Sequence, residues 1–326
     1  MTKAIRKSAS PIVLFSIIAI SVLVIATNIG ARNNHTVFAQ PTQYNNTSTK
    51  FKSFLDNLVT KKAHVGDIDI AHKIFGRGPP LLLIVGAGAT MNAWDPTVLR
   101  TLSSNYTIII FDNRGIGLTT SGNKNFTISQ YANDTVGLLD TLQIRGSVDV
   151  LGYSLGSLIA QELTLMHPDK VNKLILYASS CGGKDAIPAT PEVYTSLAKL
   201  ANPNLNLTPI DQARIIENLL FPQEWKKEHP DYLSNIPKEP LSPKTVQLQS
   251  QAVVNWKGTC DRLSNINQPT LVIVGTDDAF APPANSMMIT EKIPGAWLVQ
   301  IKGAGHGLIY QYPDKFSRIV LTFLET

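Results

Sequence analysis

The sequence predicts an α/β fold, built on a mostly parallel β-sheet with helices on its faces. From Ala63 onward, short β-rich runs alternate with helical stretches, as in the strand-helix units of a parallel sheet. Several of these runs are almost continuously apolar, which is typical of strands buried on both faces. The chain of 326 residues exceeds one average domain, and its length favours one large domain with an insertion over two equal domains.

Strands are predicted where a short apolar run is bounded by turn residues. A hairpin is expected over residues 64–75, where apolar and polar residues alternate up to the turn GRGPP. The further predicted strands are Leu81–Val85, Tyr106–Phe111, Val148–Leu151, Leu174–Tyr177, Thr270–Val274 and Trp297–Ile301. The helices predicted between and after them are Ile128–Leu142, Ser157–His167, Pro283–Lys292 and Lys315–Leu324.

One interval contains no strand run. From Gly183 to about Trp256 prolines are frequent and amphipathic helical pieces such as Pro209–Leu220 occur. The interval lies between two predicted strands, so it would cover the carboxyl ends of the sheet, where open α/β folds bind ligands. We therefore predict a helical cap over residues 183–257, between a first core part (63–182) and a second (258–326).

The first 39 residues are predicted to be a signal peptide or a membrane anchor. Lys3, Arg6 and Lys7 precede an apolar run from residue 11 to about 26, and Val-Phe-Ala before Gln40 fits a cleavage site. The run is close to the length that spans a bilayer, so an uncleaved anchor is the alternative. Residues 40–62 are expected to form a linker and N-terminal segment.

We therefore expect the protein to be secreted or anchored at the outer face of the cytoplasmic membrane. N-glycosylation acceptor patterns give modest support, since they belong on surfaces of exported proteins. They occur at Asn34, Asn45, Asn46, Asn105, Asn125, Asn133 and Asn206.

Composition argues against a disordered protein, and charge argues against a nucleic-acid-binding protein. With 44% hydrophobic and 16% charged residues, the chain has the composition of a globular protein, so disorder is not expected beyond the N-terminus. The formal charge of +5 is small for this length, and Lys and Arg are scattered. A basic stripe is absent from the sequence, so we expect no nucleic-acid partner. The membrane would be a partner only through the N-terminal anchor.

The segment GYSLG carries a candidate nucleophile, Ser154. It is a G-x-S-x-G pattern between a predicted buried strand and a predicted helix, which is the setting of a nucleophile elbow. In such a turn the serine is exposed at the strand end, and the helix N-terminus behind it favours a developing negative charge. The bare pattern also occurs in ordinary turns; its position between strand and helix favours the catalytic interpretation.

A serine nucleophile needs a base, and the base needs a carboxylate to orient it. Asp277 and Asp278 in GTDDAF follow one predicted strand, and His306 in GAGHG follows the next, in the order serine, acid, histidine that is expected of a fold with a nucleophile elbow. We choose His306 as the base and Asp278 over Asp277 as the acid. Leu155 and Ala87 are the predicted backbone N–H donors to an oxyanion.

Beyond the elbow, several motifs make residues 64–326 resemble the α/β-hydrolase fold family. FDNRGIG resembles the family's D-x-R-G-x-G loop, PTLVIVGTDD its acid-bearing strand, and GAGHG with QYPDKF its histidine loop and final helix. The resemblance implies an eight-stranded, mostly parallel sheet, a cap after the sixth strand, and no metal or organic cofactor. Many members have His-Gly where this chain has Val85 and Gly86, so the substrate class does not carry over.

The resemblance is greatest to small-molecule esterases such as aclacinomycin methyl esterase, and to cofactor-free haloperoxidases. Dehalogenases and epoxide hydrolases of this fold have Asp at the elbow, which Ser154 argues against. The leading hypothesis is a serine hydrolase that cleaves carboxylic esters of small or medium apolar substrates through an acyl-enzyme. The alternatives are a perhydrolase or haloperoxidase, and a non-catalytic ligand-binding protein of the same fold.

The two cysteines bracket the predicted cap. Cys181 follows the strand ending at Tyr177, and Cys260 precedes the strand beginning at Thr270. In an oxidising compartment they could form a disulfide at the base of the cap. Two separate buried thiols are the alternative.

Overall fold

A computed structural model describes residues 54–201, 205–230 and 243–326. The predicted leader and its cleavage site lie outside these residues, as does most of the predicted linker. Within them, one sheet of eight strands forms the centre of the molecule. The strands are β1 (Lys61–Val65), β2 (Ile68–Gly76), β3 (Pro80–Ile84), β4 (Thr107–Phe111), β5 (Val148–Tyr153), β6 (Val171–Tyr177), β7 (Thr270–Gly275) and β8 (Trp297–Ile301).

The strand order is β1-β2-β4-β3-β5-β6-β7-β8. β1 and β2 form the predicted hairpin, β2 also pairs antiparallel with β4, and every later pairing is parallel. The chain runs from β3 outward to β4 and then crosses to β5 on the other side of β3. This reversal creates a crevice at the carboxyl ends of β3 and β5, where such sheets bind ligands.

Helices cover both faces of the sheet. They are α1 (Pro96–Ser103), α2 (Ile128–Thr141), α3 (Leu155–Met166), α4 (Pro191–Ala201), α5 (Pro209–Leu220), α6 (Gln223–Glu228), α7 (Pro243–Val254), α8 (Pro283–Lys292), α9 (Leu308–Gln311) and α10 (Pro313–Leu324). Short 3₁₀ turns occupy Met91–Ala93, Pro168–Lys170, Gly183–Asp185 and Leu263–Asn265.

Alternate residues of the central strands serve two different cores. In β3, Leu82 and Ile84 pack in the layer that contains α2, α3 and α8. Leu81 and Leu83 pack in the opposite layer with α1 and α10. Because a strand points successive side chains to opposite faces, a sheet covered on both sides needs the continuous apolar runs seen in the sequence.

The start of α3 differs from the starts of α1 and α2. Asp95 caps α1 by accepting hydrogen bonds from the N–H groups of Thr97 and Val98, and Thr127 caps α2. Such caps satisfy N–H groups that have no partner within the helix. The residue at the cap position of α3 is Ser154, and its side chain makes no capping bond. Its hydroxyl is therefore available to another partner.

β8 differs from the prediction of a strand buried on both faces. It is the last strand in the sheet order, and Trp297 is 46% exposed. Leu298 and Val299 are only partly buried in the two layers, with Leu298 packed against one core and Val299 against the other. The Trp297 ring meets Phe323 of α10 edge-on with centroids 5.6 Å apart. The helix after the elbow also begins at Leu155, two residues before its predicted start.

The predicted cap interval, residues 183–257, contains α4, α5, α6 and α7 and, in its described part, no strand. It leaves the core after β6 and returns before β7, at the carboxyl ends of the strands. Leu220 at the end of α5 reaches the core, where its carbonyl accepts a hydrogen bond of 2.9 Å from the N–H of Gly307. The interval thus lies directly over the sheet edge that carries the predicted catalytic residues.

Arg114 of the loop FDNRGIG ties the hairpin to α2. Its guanidinium is fully buried, and its donors bond Asp67 in the β1–β2 turn, Asp134 of α2 and the carbonyl of Ser121, at 2.7 to 3.0 Å. These bonds use all five N–H groups of the side chain. The hydrogen bonds from Arg114 hold the pKa of Asp67 below its usual range.

Asp67→Asn should therefore destabilise the fold by about 3 kcal/mol, because it leaves a buried cation with one carboxylate partner fewer. A depressed pKa means that Asp67 stabilises the protein fully above its unfolded-state pKa of about 4, and progressively less as the pH falls toward the folded-state value. Urea unfolding of wild type and variant at pH 7 and pH 3 tests both statements.

Asp140→Asn is the matched control, because it removes a carboxylate that pairs with Lys170 at the surface. It should change stability little at either pH. A stability difference for Asp67→Asn that does not depend on pH would contradict the assigned role of the ion pair.

The structure joins Cys181 and Cys260 by a disulfide, with Cα atoms 5.0 Å apart. The bridge closes a loop of 79 residues that contains the whole cap interval. Cys260 also borders the cavity described below. The bridge therefore holds the two ends of the cap together at its base.

Replacing both cysteines with alanine should lower the free energy of unfolding by about 4 kcal/mol, since the bridge restricts the unfolded chain. Thermal unfolding with and without a reducing agent measures this loss. The reductant should lower the midpoint of the wild type and leave the double variant unchanged. A wild-type midpoint that does not respond to full reduction would contradict the prediction.

Candidate active site

Ser154 is the single residue that turns the chain from β5 into α3. Its backbone has φ 52° and ψ −118°, a left-handed conformation that non-glycine residues rarely adopt and that costs on the order of 1–3 kcal/mol. Its N–H donates to the carbonyl of Tyr177 at 3.0 Å, and its carbonyl accepts from the N–H of Ser157 at 2.9 Å. These bonds hold the turn, so the side chain of Ser154 is fixed at the strand end.

Gly152 and Gly156 allow the close packing that this turn requires. A Cβ atom on Gly152 would lie 2.4 Å from the carbonyl oxygen of Gly156, and one on Gly156 would lie 1.9 Å from that of Ile84. Both distances are far below van der Waals contact. The two glycines of G-x-S-x-G are therefore needed to bring α3 against β3 and β5.

Ser154, His306 and Asp278 form one line of hydrogen bonds. Ser154 Oγ lies 3.1 Å from His306 Nε2, and His306 Nδ1 lies 2.9 and 3.0 Å from the two carboxylate oxygens of Asp278. An ionised carboxylate can only accept, so Nδ1 carries the proton. In the neutral ring Nε2 is then an acceptor that faces the Ser154 hydroxyl.

The two neighbouring aspartates lie in different surroundings. Asp278 is buried, and its Oδ1 also accepts hydrogen bonds from the N–H groups of Phe280 and Ala281 at 3.0 and 2.8 Å. Asp277 is exposed and bonds the hydroxyl of Thr276 at 2.8 Å. Of these two aspartates, Asp278 is the one that contacts the imidazole of His306. This agrees with the choice of Asp278 over Asp277 that was made from the sequence.

Two tyrosines hold the backbone of the histidine loop, a role that was not predicted from the sequence for either of them. The hydroxyls of Tyr177 and Tyr153 donate to the carbonyl of His306 at 2.6 and 3.3 Å, and their rings stack with centroids 4.6 Å apart. Burial raises the pKa of both phenols, so they remain protonated donors. No sequence signal distinguishes Tyr177, at the end of an apolar strand, from a core residue.

The loop after β3 passes directly beside Ser154. A Cβ atom on Gly86 would lie 3.2 Å from Cβ of Ser154, and Ala87 borders the same cavity as Ser154 and Leu155. The N–H of Gly88 donates at 2.8 Å to Oε1 of Gln249, a buried residue of cap helix α7. The sequence contained no sign of this contact, because the two residues are 161 positions apart.

A cavity of about 1000 Å³ opens above Ser154 and His306. Its walls are largely apolar and come from core and cap, including Leu158, Ile187, Val193, Leu197, Val253 and Trp256. Charged residues border it as well, namely Lys184, Asp185, Lys257, Asp261 and Arg262.

In the described part of the chain, no cluster of three His, Cys, Asp or Glu side chains is suited to hold a metal ion.

The chain is similar to known hydrolases over most of its length. It is 25% identical over 265 residues to a putative carbamate hydrolase of Azorhizobium caulinodans, covering 80% of this chain and 97% of the relative. It is 26% identical over 262 residues to a pimeloyl-[acyl-carrier protein] methyl ester esterase of Aeromonas hydrophila, covering 77% and 97%.

A putative non-heme bromoperoxidase of Mycobacterium tuberculosis is 29% identical over 269 residues, covering 79% of this chain and 98% of the relative. Its crystal structure aligns with a TM-score of 0.69 at 26% identity, over 80% and 97% of the two chains. The family model described as alpha/beta hydrolase fold matches residues 79–313, more than two thirds of the sequence. The chain therefore belongs to the α/β hydrolase fold family and is an enzyme of that family.

Proposed function

We propose that this enzyme is a serine hydrolase that cleaves carboxylic esters of small or medium apolar substrates through an acyl-enzyme intermediate. The proposal rests on one observation, the hydrogen-bonded line from Asp278 through His306 to Ser154 at the base of a largely apolar cavity. This is the arrangement that converts a serine hydroxyl into a nucleophile.

In the proposed reaction, Ser154 Oγ attacks the ester carbonyl carbon while His306 Nε2 takes its proton. The N–H groups of Ala87 and Leu155 bind the resulting oxyanion. The tetrahedral intermediate then collapses, and His306 returns the proton to the departing alcohol, which leaves the acyl group on Ser154. A water molecule, deprotonated by His306, then attacks the acyl carbon. The bond from this carbon to Ser154 Oγ breaks, His306 returns the proton to Oγ, and the acid is released.

The apolar part of the cavity wall supports the proposed substrate class. Apolar side chains of α4 and α7 line the same cavity as Ser154 and His306, so burial of a hydrocarbon acyl or alkyl group against them would stabilise binding by about 0.8 kcal/mol per CH₂. The relatives named as a methyl ester esterase and a carbamate hydrolase support acyl-transfer chemistry in general. They do not identify the leaving group.

The relative named as a bromoperoxidase favours a second candidate function. Hydrogen peroxide would replace water as the nucleophile that attacks the acyl-enzyme, and the product would be a peracid able to oxidise halide. The same three side chains serve both reactions. Peroxide-dependent bromide oxidation in the presence of a short carboxylic acid distinguishes this activity from simple ester hydrolysis.

Export to the outer face of the membrane, or secretion, is the location that we propose. Two features of the folded chain support it: the disulfide at the cap base and the exposure of every acceptor asparagine in the described residues. These asparagines are Asn105, Asn125, Asn133 and Asn206. None of the described helices is both long and apolar enough to cross a bilayer.

Ser154→Ala should lower kcat on p-nitrophenyl butyrate by at least about 10³-fold, because the nucleophile is lost while the cavity is unchanged. For the wild type, kcat/KM should rise by about four-fold per CH₂ from acetate to butyrate. Ser104→Ala, at the exposed end of α1, is the control and should retain full activity. Equal turnover by Ser154→Ala and wild type would refute the proposal.

Asp278→Asn should reduce kcat by about 10⁴-fold, because the amide no longer holds the imidazole in the required tautomer. Asp277→Asn, one residue away and exposed, should leave kcat within about two-fold of the wild type. Steady-state kinetics on the same ester compares the two variants. A large loss in Asp277→Asn with little loss in Asp278→Asn would reverse the assignment of the acid.

A further inference from the structure

Four polar side chains form a buried chain of hydrogen bonds behind the nucleophile. Thr259 Oγ1 lies 2.5 Å from Gln161 Oε1, and Gln161 Nε2 lies 2.9 Å from Ser179 Oγ. Ser179 Oγ lies 2.8 Å from Ser157 Oγ, which lies 2.6 Å from the carbonyl oxygen of Ser154. All four residues are 0% exposed, and they are not among the residues that line the cavity. We call them the polar chain.

The carbonyl of Ser180 determines which way the Gln161 amide group is oriented, that is, where its Oε1 and Nε2 lie. Gln161 Nε2 lies 2.9 Å from the carbonyl oxygen of Ser180, which can only accept a hydrogen bond. The amide nitrogen must therefore face Ser180, and Oε1 must face Thr259. Since Oε1 carries no hydrogen, the Thr259 hydroxyl is the donor between them.

The hydroxyls of Ser157 and Ser179 can form their hydrogen bonds with the donors pointing in only one direction. The Ser154 carbonyl only accepts, so Ser157 donates its single hydroxyl hydrogen there. Ser157 then has no hydrogen left, and Ser179 must donate to Ser157, since its other near acceptor, the Ser180 carbonyl, is 3.5 Å away. Every donor of the polar chain thus points from Thr259 toward Ser154.

The polar chain ends on the peptide unit that carries a proposed oxyanion donor. The carbonyl of Ser154 and the N–H of Leu155 belong to the same peptide group, and the described chain has no cis peptide bond. In a trans peptide the two groups point in opposite directions, so fixing the carbonyl fixes the N–H. A hydrogen bond accepted by the carbonyl also polarises the amide and strengthens its N–H as a donor, by roughly 10–30% per bond.

We propose that the polar chain orients and strengthens the Leu155 N–H for oxyanion binding, and that it connects this donor to the base of the cap. The N–H of Thr259 donates to the carbonyl of Cys181 at 2.7 Å, so the chain starts at the disulfide-bridged ends of the cap. Its four members are positioning residues that contact neither substrate nor reacting atoms. The inference rests on the proposed serine hydrolase function.

Thr259→Val, which keeps the shape of the side chain and removes its hydroxyl, tests the proposal in the full-length enzyme. We expect kcat on p-nitrophenyl butyrate to fall about three-fold with KM unchanged, because the oxyanion is bound more weakly in the transition state. The Ki of a trifluoromethyl ketone, whose adduct with the serine places an oxyanion in the same position, should rise by the same factor.

Two controls separate positioning from stability. Thr259→Ser keeps the hydroxyl and should restore both kcat and Ki. Thr164→Val removes another buried hydroxyl of α3, one that bonds the Ala160 carbonyl at 2.7 Å and has no part in the polar chain. It should lower the melting temperature and leave kcat unchanged.

Ser157→Ala removes the last link and provides a second variant if Thr259→Val does not fold. It should lower kcat and raise Ki in parallel, and adding Thr259→Val should cause little further loss, because the chain is already broken. An unchanged kcat, or a lower kcat with an unchanged Ki, would overturn the proposal. If the wild type neither binds the ketone nor turns over the ester, the proposed function itself fails.

Discussion

The backbone of Ser154 adopts a conformation that a serine avoids, and the geometry of the site depends on it. At φ 52° the chain reverses within one residue, which exposes the side chain at the strand end and places the first turn of α3 directly behind it. The strain is offset by the hydrogen bond to the Tyr177 carbonyl and by the packing that Gly152 and Gly156 permit. Ser154 therefore keeps this conformation only because both the flanking glycines of its own segment and the packing of the sheet stabilise it.

The parallel sheet then brings the other groups to the same place. Ser154 follows β5 directly, Asp278 lies three residues beyond β7, and His306 lies five residues beyond β8. Parallel strands have their carboxyl ends at one edge, so groups separated by up to 152 positions in sequence come within hydrogen-bond distance. The order reversal at β3 adds the loop with Ala87 at the same edge.

Site residues that can be recognised from their immediate neighbours in the sequence could be predicted. Ser154, Asp278 and His306 each follow an apolar strand in a short glycine-containing turn, a pattern that can be read without knowing the fold. Gln161 and Tyr177 could not be found in this way, because their partners are 98 and 129 positions distant and their residue types also occur in ordinary cores. The exposure of β8 was missed for a related reason, since an apolar run does not reveal whether a second strand lies beside it.

The cap region contributes bonds to two loops of the site as well as walls to the cavity. The Leu220 carbonyl accepts from Gly307 beside the histidine, and Gln249 accepts from Gly88 in the loop after β3. At about 1 kcal/mol for each bond, lifting the cap would cost about 2 kcal/mol. A 1.4 kcal/mol difference is about ten-fold in population, so an open form would be rarer by roughly 30-fold. The cavity over Ser154 and His306 is therefore closed by the same contacts that hold the loops beside these two residues, and changes in the cap should affect kcat as well as KM.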